Sequence, residues 1–207
     1  MTKEPAKAKA THAAAEIESA LKPLSRRRFL KTALWASAGL AAVAAGGFAL
    51  LSRSPHDNDA VPADLAHIEP AQYRLFSQLA LVLLPTAGTT LPAVSEIPVA
   101  RNVDAILGAL SPDIRKQLAG GLTLLDNAAV LSHGKRLIDL EPAAAQAYLA
   151  SWVDSDSVIK RTLGQVATKL THTGYWMDER TWPALEFDGA VSRKWGLPSR
   201  GNQPLPA

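Results

Sequence analysis

From residue 70 onward, apolar residues recur at spacings of three and four, and polar residues fill the positions between them. Tyr73, Phe76, Ala80 and Leu83 fall on one helical stripe, and Leu75, Leu79 and Val82 fill the other side. That spacing predicts a largely buried helix opening at Glu69-Pro70, where proline suits a first helical position, and ending at Pro85. A loop rich in Thr, Gly and Pro runs from Thr86 to Pro98. A second helix is expected over Val99 to Leu110, with Val103, Ile106, Leu107 and Leu110 inward. Ser111-Pro112-Asp113 then combines a capping hydroxyl, a first-position proline and a carboxylate at the positive dipole end. The helix it starts places Ile114, Leu118, Leu122, Leu125 and Ala129 on one stripe and stops near His133-Gly134. A fourth helix begins at Glu141-Pro142 and carries Ala145, Tyr148, Leu149 and Trp152. A fifth follows Asp156, with Ile159, Leu163, Val166 and Leu170 in register, and a short helical turn follows Asp178. No alternating β-type segment of useful length is present. The expected fold is all-α: a small bundle of about five helices.

The flanks lack this periodicity. Residues 1–51 read as a leader, 52–68 (SRSPHDNDAVPADLA and its neighbours) as a linker, 69–189 as the helical domain, and 190–207 as an irregular, extended C-terminal tail. The 207 residues carry 22 Lys and Arg against 19 Asp and Glu, a net +3. Nine of the positive charges and only three of the negative ones lie in residues 1–53, so the body itself is mildly acidic. A nucleic-acid-binding domain needs its basic residues on the folded face. That function is excluded.

The leader carries the most specific signal. Ser25-Arg26-Arg27-Arg28-Phe29-Leu30-Lys31 matches the twin-arginine export pattern S-R-R-x-F-L-K, with Ser25, Arg26, Arg27, Phe29, Leu30 and Lys31 at its specified positions. An uncharged, Ala/Gly-rich run from Thr32 to Leu51 follows, as a weakly hydrophobic signal core should. The expectation is export to the periplasm by the twin-arginine translocase. Two small-x-small cut sites can be drawn, at Gly47-Phe48-Ala49 and at Val61-Pro62-Ala63. The alternative is an uncleaved anchor in the inner membrane formed by residues 32–51, a run about long enough to span a bilayer.

Twin-arginine export carries folded proteins, often because a cofactor must be inserted first. Yet the body offers a cofactor little. The absence of cysteine excludes iron–sulfur ligation, c-type haem attachment, thiolate zinc and a cysteine nucleophile. The histidines are His12, His56, His67, His133 and His172, and no two share an i, i+4 helical face. There is no G-x-S-x-G, and Gly120-Gly121 lies inside a helical pattern with no strand before it, which favours close helix packing over phosphate binding. Asp154 and Asp156 fall at an inter-helix junction as caps, and Asp126 is left to bind either a helix end or a partner. No catalytic, cofactor-binding or metal-binding residues are assigned.

The aromatic residues concentrate in the last third. Trp and Arg in an irregular segment are typical interface anchors, so Tyr175, Trp176, Arg180, Trp182, Arg193, Trp195 and Arg200 form the candidate partner interface.

Several blocks, in order, resemble the small subunit family of gluconate 2-dehydrogenase, its subunit 3. They are Leu79–Pro85 (LALVLLP), Ala119–Ala129 (AGGLTLLDNAA), Ala150-Ser151-Trp152, Arg161, and Gly174-Tyr175-Trp176 through Trp182. The resemblance implies a non-catalytic subunit that escorts an FAD-containing partner of the glucose-methanol-choline oxidoreductase type, sometimes with a cytochrome c subunit. The FAD then belongs to the partner, which lacks an export signal of its own, and this chain supplies the address. Two other readings compete. One is a stand-alone periplasmic binding protein holding a small ligand among Trp152, Tyr175 and Trp176; the other is an enzyme working through carboxylates.

Overall fold

The computed structural model describes residues 53–189, together with Trp195 and Gly196. The twin-arginine motif, the apolar run after it, and Arg193 and Arg200 of the tail lie outside those residues. Among the described residues there are five α-helices and no strands: α1 (Pro70–Leu83), α2 (Val99–Leu107), α3 (Pro112–His133), α4 (Pro142–Val153) and α5 (Val158–Trp176). The all-α bundle read from the sequence is the fold observed.

Local chemistry sets the helix ends. Pro70 occupies the first turn of α1, and the Gln72 side chain accepts the Glu69 N–H at 3.0 Å, closing a capping box. Ser111 caps α3 by accepting the Ile114 N–H, and Gly134 ends it in the left-handed region at φ 69°. α2 is shorter than expected. It stops at Leu107, and Ala109 and Leu110 continue in tighter i→i+3 turns. Pro112 disfavours helical backbone at the residue before it, so the chain must leave the helix ahead of Ser111. Leu110 remains buried all the same.

The core gathers Phe76 and Leu79 of α1, Val103 and Ile106 of α2, Leu118, Leu122 and Leu125 of α3, Leu149 of α4, and Leu163 and Leu170 of α5. Helix α5 packs against all four others. Two of its glycines set how close they come. A β-carbon on Gly164 would sit 2.9 Å from the Val153 backbone nitrogen, and one on Gly174 would sit 2.9 Å from the Val99 carbonyl oxygen. Of the Gly120-Gly121 pair, Gly121 is pressed against Leu163, while Gly120 faces open space.

Residues 54–69 differ from the expected linker. They are aperiodic, apart from a 3-10 turn at Pro55–Asn58, but they lie on the body: Ser54 and Ile68 are buried, and Leu65 packs against the core.

The glycine contacts make a paired prediction. Gly164→Ala forces a methyl against fixed backbone and should destabilise the protein by about 1–3 kcal/mol, despite the better helix propensity of alanine. Gly120→Ala meets nothing and should stabilise by about 0.5–1 kcal/mol. Urea unfolding of the two variants measures both; equal effects would contradict the packing described.

Candidate partner interface

The C-terminal end of α5 and the turns after it hold most of the residues singled out for a partner. The structure divides them. Tyr175 is fully buried, and its hydroxyl donates to the Pro92 carbonyl at 2.6 Å. It packs with Ala80, Leu84, Ile97 and Val99, and meets Trp176 edge-on at 4.9 Å. Burial pushes its hydroxyl above the ordinary range, with Glu96 and Asp178 adding to the effect. Trp182 is 7 % exposed; its indole N–H donates to the Trp176 carbonyl at 3.0 Å. These two side chains are core, not surface anchors, because each has its polar atom satisfied inside the chain and its ring enclosed. Sequence alone could not separate them from Trp195, since the turns Glu179–Thr181 and Pro183–Leu185 that fold Trp182 back have no periodicity.

Trp176 is half-buried and Arg180 exposed. The Arg180 guanidinium is forked onto Asp178, with Nε and Nη2 each 2.8 Å from a carboxylate oxygen. This pairing, with the Arg180 backbone N–H, outweighs partial burial and holds the Asp178 carboxyl below its ordinary value. Trp195 is 70 % exposed. Leu185 at 54 % and Phe187 at 47 % exposure are two further large apolar side chains left in water, and neither was among the residues singled out from sequence. Phe187 rests edge-on against Trp182 at 5.1 Å, so the buried indole supports an exposed ring. Acidic residues surround this end: Glu179, Glu186 and Asp188 are all exposed, and Glu186 takes a left-handed φ of 53° at the end of the last turn.

The other sites considered do not assemble. Trp152 lies beside Gly164, and Tyr175 follows eleven residues later on α5, roughly 16 Å along the axis at 1.5 Å per residue. The aromatic ligand site expected among Trp152, Tyr175 and Trp176 is therefore not formed. Trp152 instead meets Tyr148 at a tilt, with ring centroids 5.8 Å apart, and lies under Lys160. The His133 ring pairs with the Ser132 hydroxyl and stands edge-on to Tyr148. Of the two roles left open for Asp126, the structure shows the helix end: it holds the start of the 3-10 turn Leu137–Asp139. It is buried, accepts Arg136 Nε and Nη2 at 2.9 and 2.5 Å, and accepts the Ile138 N–H at 3.1 Å. Burial pushes its carboxyl up against those attractions. Beside it a cleft lined by Gln72, Leu75, Leu122, Thr123, Asn127 and Arg136 has room for about 40 Å³ of water-sized atoms, far less than a sugar or flavin needs. Among the described residues no group of three or more His, Asp or Glu side chains is placed to hold a metal, and no helix is long and apolar enough to cross a membrane.

Arg180→Ala should move the titration of Asp178 up towards 3.8. The folded carboxyl titrates below its unfolded value, so the pair favours folding above that pH and its contribution fades as the pH falls through the folded value. The effect on melting at neutral pH should be small, as for other exposed pairs. Carboxyl NMR across the acid range checks the shift.

A family model described as gluconate 2-dehydrogenase subunit 3 matches residues 70–189. No curated protein and no solved structure matches the chain.

Proposed function

Because the chain belongs to the gluconate 2-dehydrogenase subunit 3 family, we propose that it is the non-catalytic small subunit of a dehydrogenase complex. It escorts a folded, FAD-containing subunit of the glucose-methanol-choline type through the twin-arginine route and stabilises that subunit in the periplasm. The cofactor and the chemistry belong to the partner, and a cytochrome c subunit is a further candidate member of the complex.

The observation that supports the reading is the exposure of large apolar side chains in the segment after α5. Leu185, Phe187 and Trp195 follow one another along the chain, each about half exposed or more. Large apolar side chains left exposed on a small body support a protein contact. Trp176 and Arg180 stand at the same end. A standard interface buries roughly 1,600 Å² in total, and an irregular arm added to one end of a bundle is an economical way to reach that area. Residues 190–207, with Arg193 and Arg200, are the proposed source of that area.

Two experiments test this. In the purified complex, Trp195→Ala should weaken binding of the flavoprotein by about 1–3 kcal/mol, as loss of an aromatic anchor commonly does. Its thermal unfolding alone should match the parent, and a large loss of stability with unchanged affinity would show that the ring serves the fold instead. In cells, replacing Arg26 and Arg27 together by lysine should leave both this subunit and its flavoprotein in the cytoplasm. Normal periplasmic dehydrogenase activity in that double variant would refute the escort role.

A further inference from the structure

Residues 54–69 are fastened to the body at two places. At the first, Ser54 is 7 % exposed and caps its own turn by accepting the His56 N–H. Its hydroxyl donates to Asp139 at 2.5 Å, a contact across 85 residues of sequence. Asp57 accepts Arg136 Nη1 at 2.6 Å, and the same guanidinium holds the buried Asp126. Arg74 of α1 donates through Nε and Nη2 to the Asp59 carbonyl. At the second, Asp64 takes a forked pair from Arg101 of α2 at 2.7 and 3.0 Å. Asp104 of the same helix accepts the backbone N–H groups of Ala66, His67 and Ile68. Only four residues, 60–63, separate the two clasps, and Val61 and Pro62 are half-buried.

We infer that residues 54–69 form a latch belonging to the folded body, and that removal of the leader falls before Ser54 and never at Val61-Pro62-Ala63. The processing half of this inference rests on the export reading proposed above; the latch itself does not. A processing protease takes its substrate as an extended segment several residues long. Drawing Ala63 into such a site means opening both clasps, with burial lost at Ser54 and Ile68 and the forked Arg101 pair broken. The twin-arginine route delivers its cargo folded, so the latch is closed before any protease outside meets it. The peptide stretch available for cutting therefore ends at Arg53, the exposed residue next to buried Ser54.

The test has two arms on the full-length chain. In the first, the purified protein is digested briefly with proteinase K, and the resistant fragment is weighed by intact mass. It should begin at or before Ser54; a resistant fragment beginning between 60 and 70 would overturn the latch. Asp57→Asn leaves the Arg136–Asp126 pair in place and weakens the first clasp alone, by removing the charge that Arg136 Nη1 meets. Cleavage between 54 and 63 should then accelerate about tenfold, since digestion of a locally opened segment follows its open population. An unchanged rate would show that Asp57 does not hold the latch. In the second arm, the exported protein is recovered from cells and its N-terminus sequenced. A start at or before Ser54, including an uncut chain, upholds the inference, and a start within 55–69 refutes it. A chain that stays in the cytoplasm defeats the export reading and the processing claim with it, while the digestion arm still decides the latch.

Discussion

The close approach of α5 to its neighbours governs the rest of this structure. Helix α5 contacts the four other helices, and at two places the neighbour comes nearer than a β-carbon would allow. Gly164 admits the end of α4, and Gly174 admits the first turn of α2, each with a neighbouring backbone atom where a β-carbon would stand. Asn102 then donates to the Gly174 carbonyl at 2.7 Å and fixes the register of α2 on α5. Once α5 is held along its whole length, its last residues become a rigid platform. Tyr175 is locked beneath the loop at Pro92, Trp176 is held against it, and the two short turns that follow fold Trp182 inward and leave Phe187 outside.

A second constraint lies at the other end of α1, where charge is buried. A carboxylate removed from water is costly unless paired and hydrogen-bonded. Asp126 is given the Arg136 guanidinium and the Ile138 N–H, so the turn after α3 is drawn onto the helix that precedes it. Burial works against the Arg136 charge, yet Asp126 and Asp57 outweigh it and hold the guanidinium above its ordinary value. Other buried polar atoms are satisfied more cheaply: the Tyr148 hydroxyl donates to the Leu125 carbonyl and Thr171 to Ala167.

Much of this was legible beforehand because the signals are one-dimensional. Apolar spacing named the buried stripes of all five helices, and Pro70, Ser111-Pro112, Gly134 and Pro142 marked their ends to within a residue or so. What was not legible depends on contacts between residues far apart in sequence. Nothing in SRSPHDNDAVPADLA announces that Asp57 will meet Arg136, or that its Asp64 will meet Arg101, because an exposed linker would have the same composition. The same limit applied to the aromatics. Tyr175, Trp182 and Trp195 look alike in sequence, yet the Pro92 loop with α1 and α2 encloses the first, the turns at Glu179–Thr181 and Pro183–Leu185 fold in the second, and the third is left in water.

The shared guanidinium at position 136 also bears on how such a chain can diverge. Replacing Arg136 alone strands the charge of Asp126 inside the bundle, at a cost of about 3–5 kcal/mol when a buried pair loses one member. Replacing Asp126 alone takes from Arg136 its buried counter-charge and frees the Ile138 N–H. Each single step is steep, whereas an exchange of both for apolar residues of similar volume is often neutral. Positions 126 and 136 are therefore expected to drift as a unit among descendants of this sequence. Position 57 follows at a looser distance, because its carboxylate still has water to fall back on.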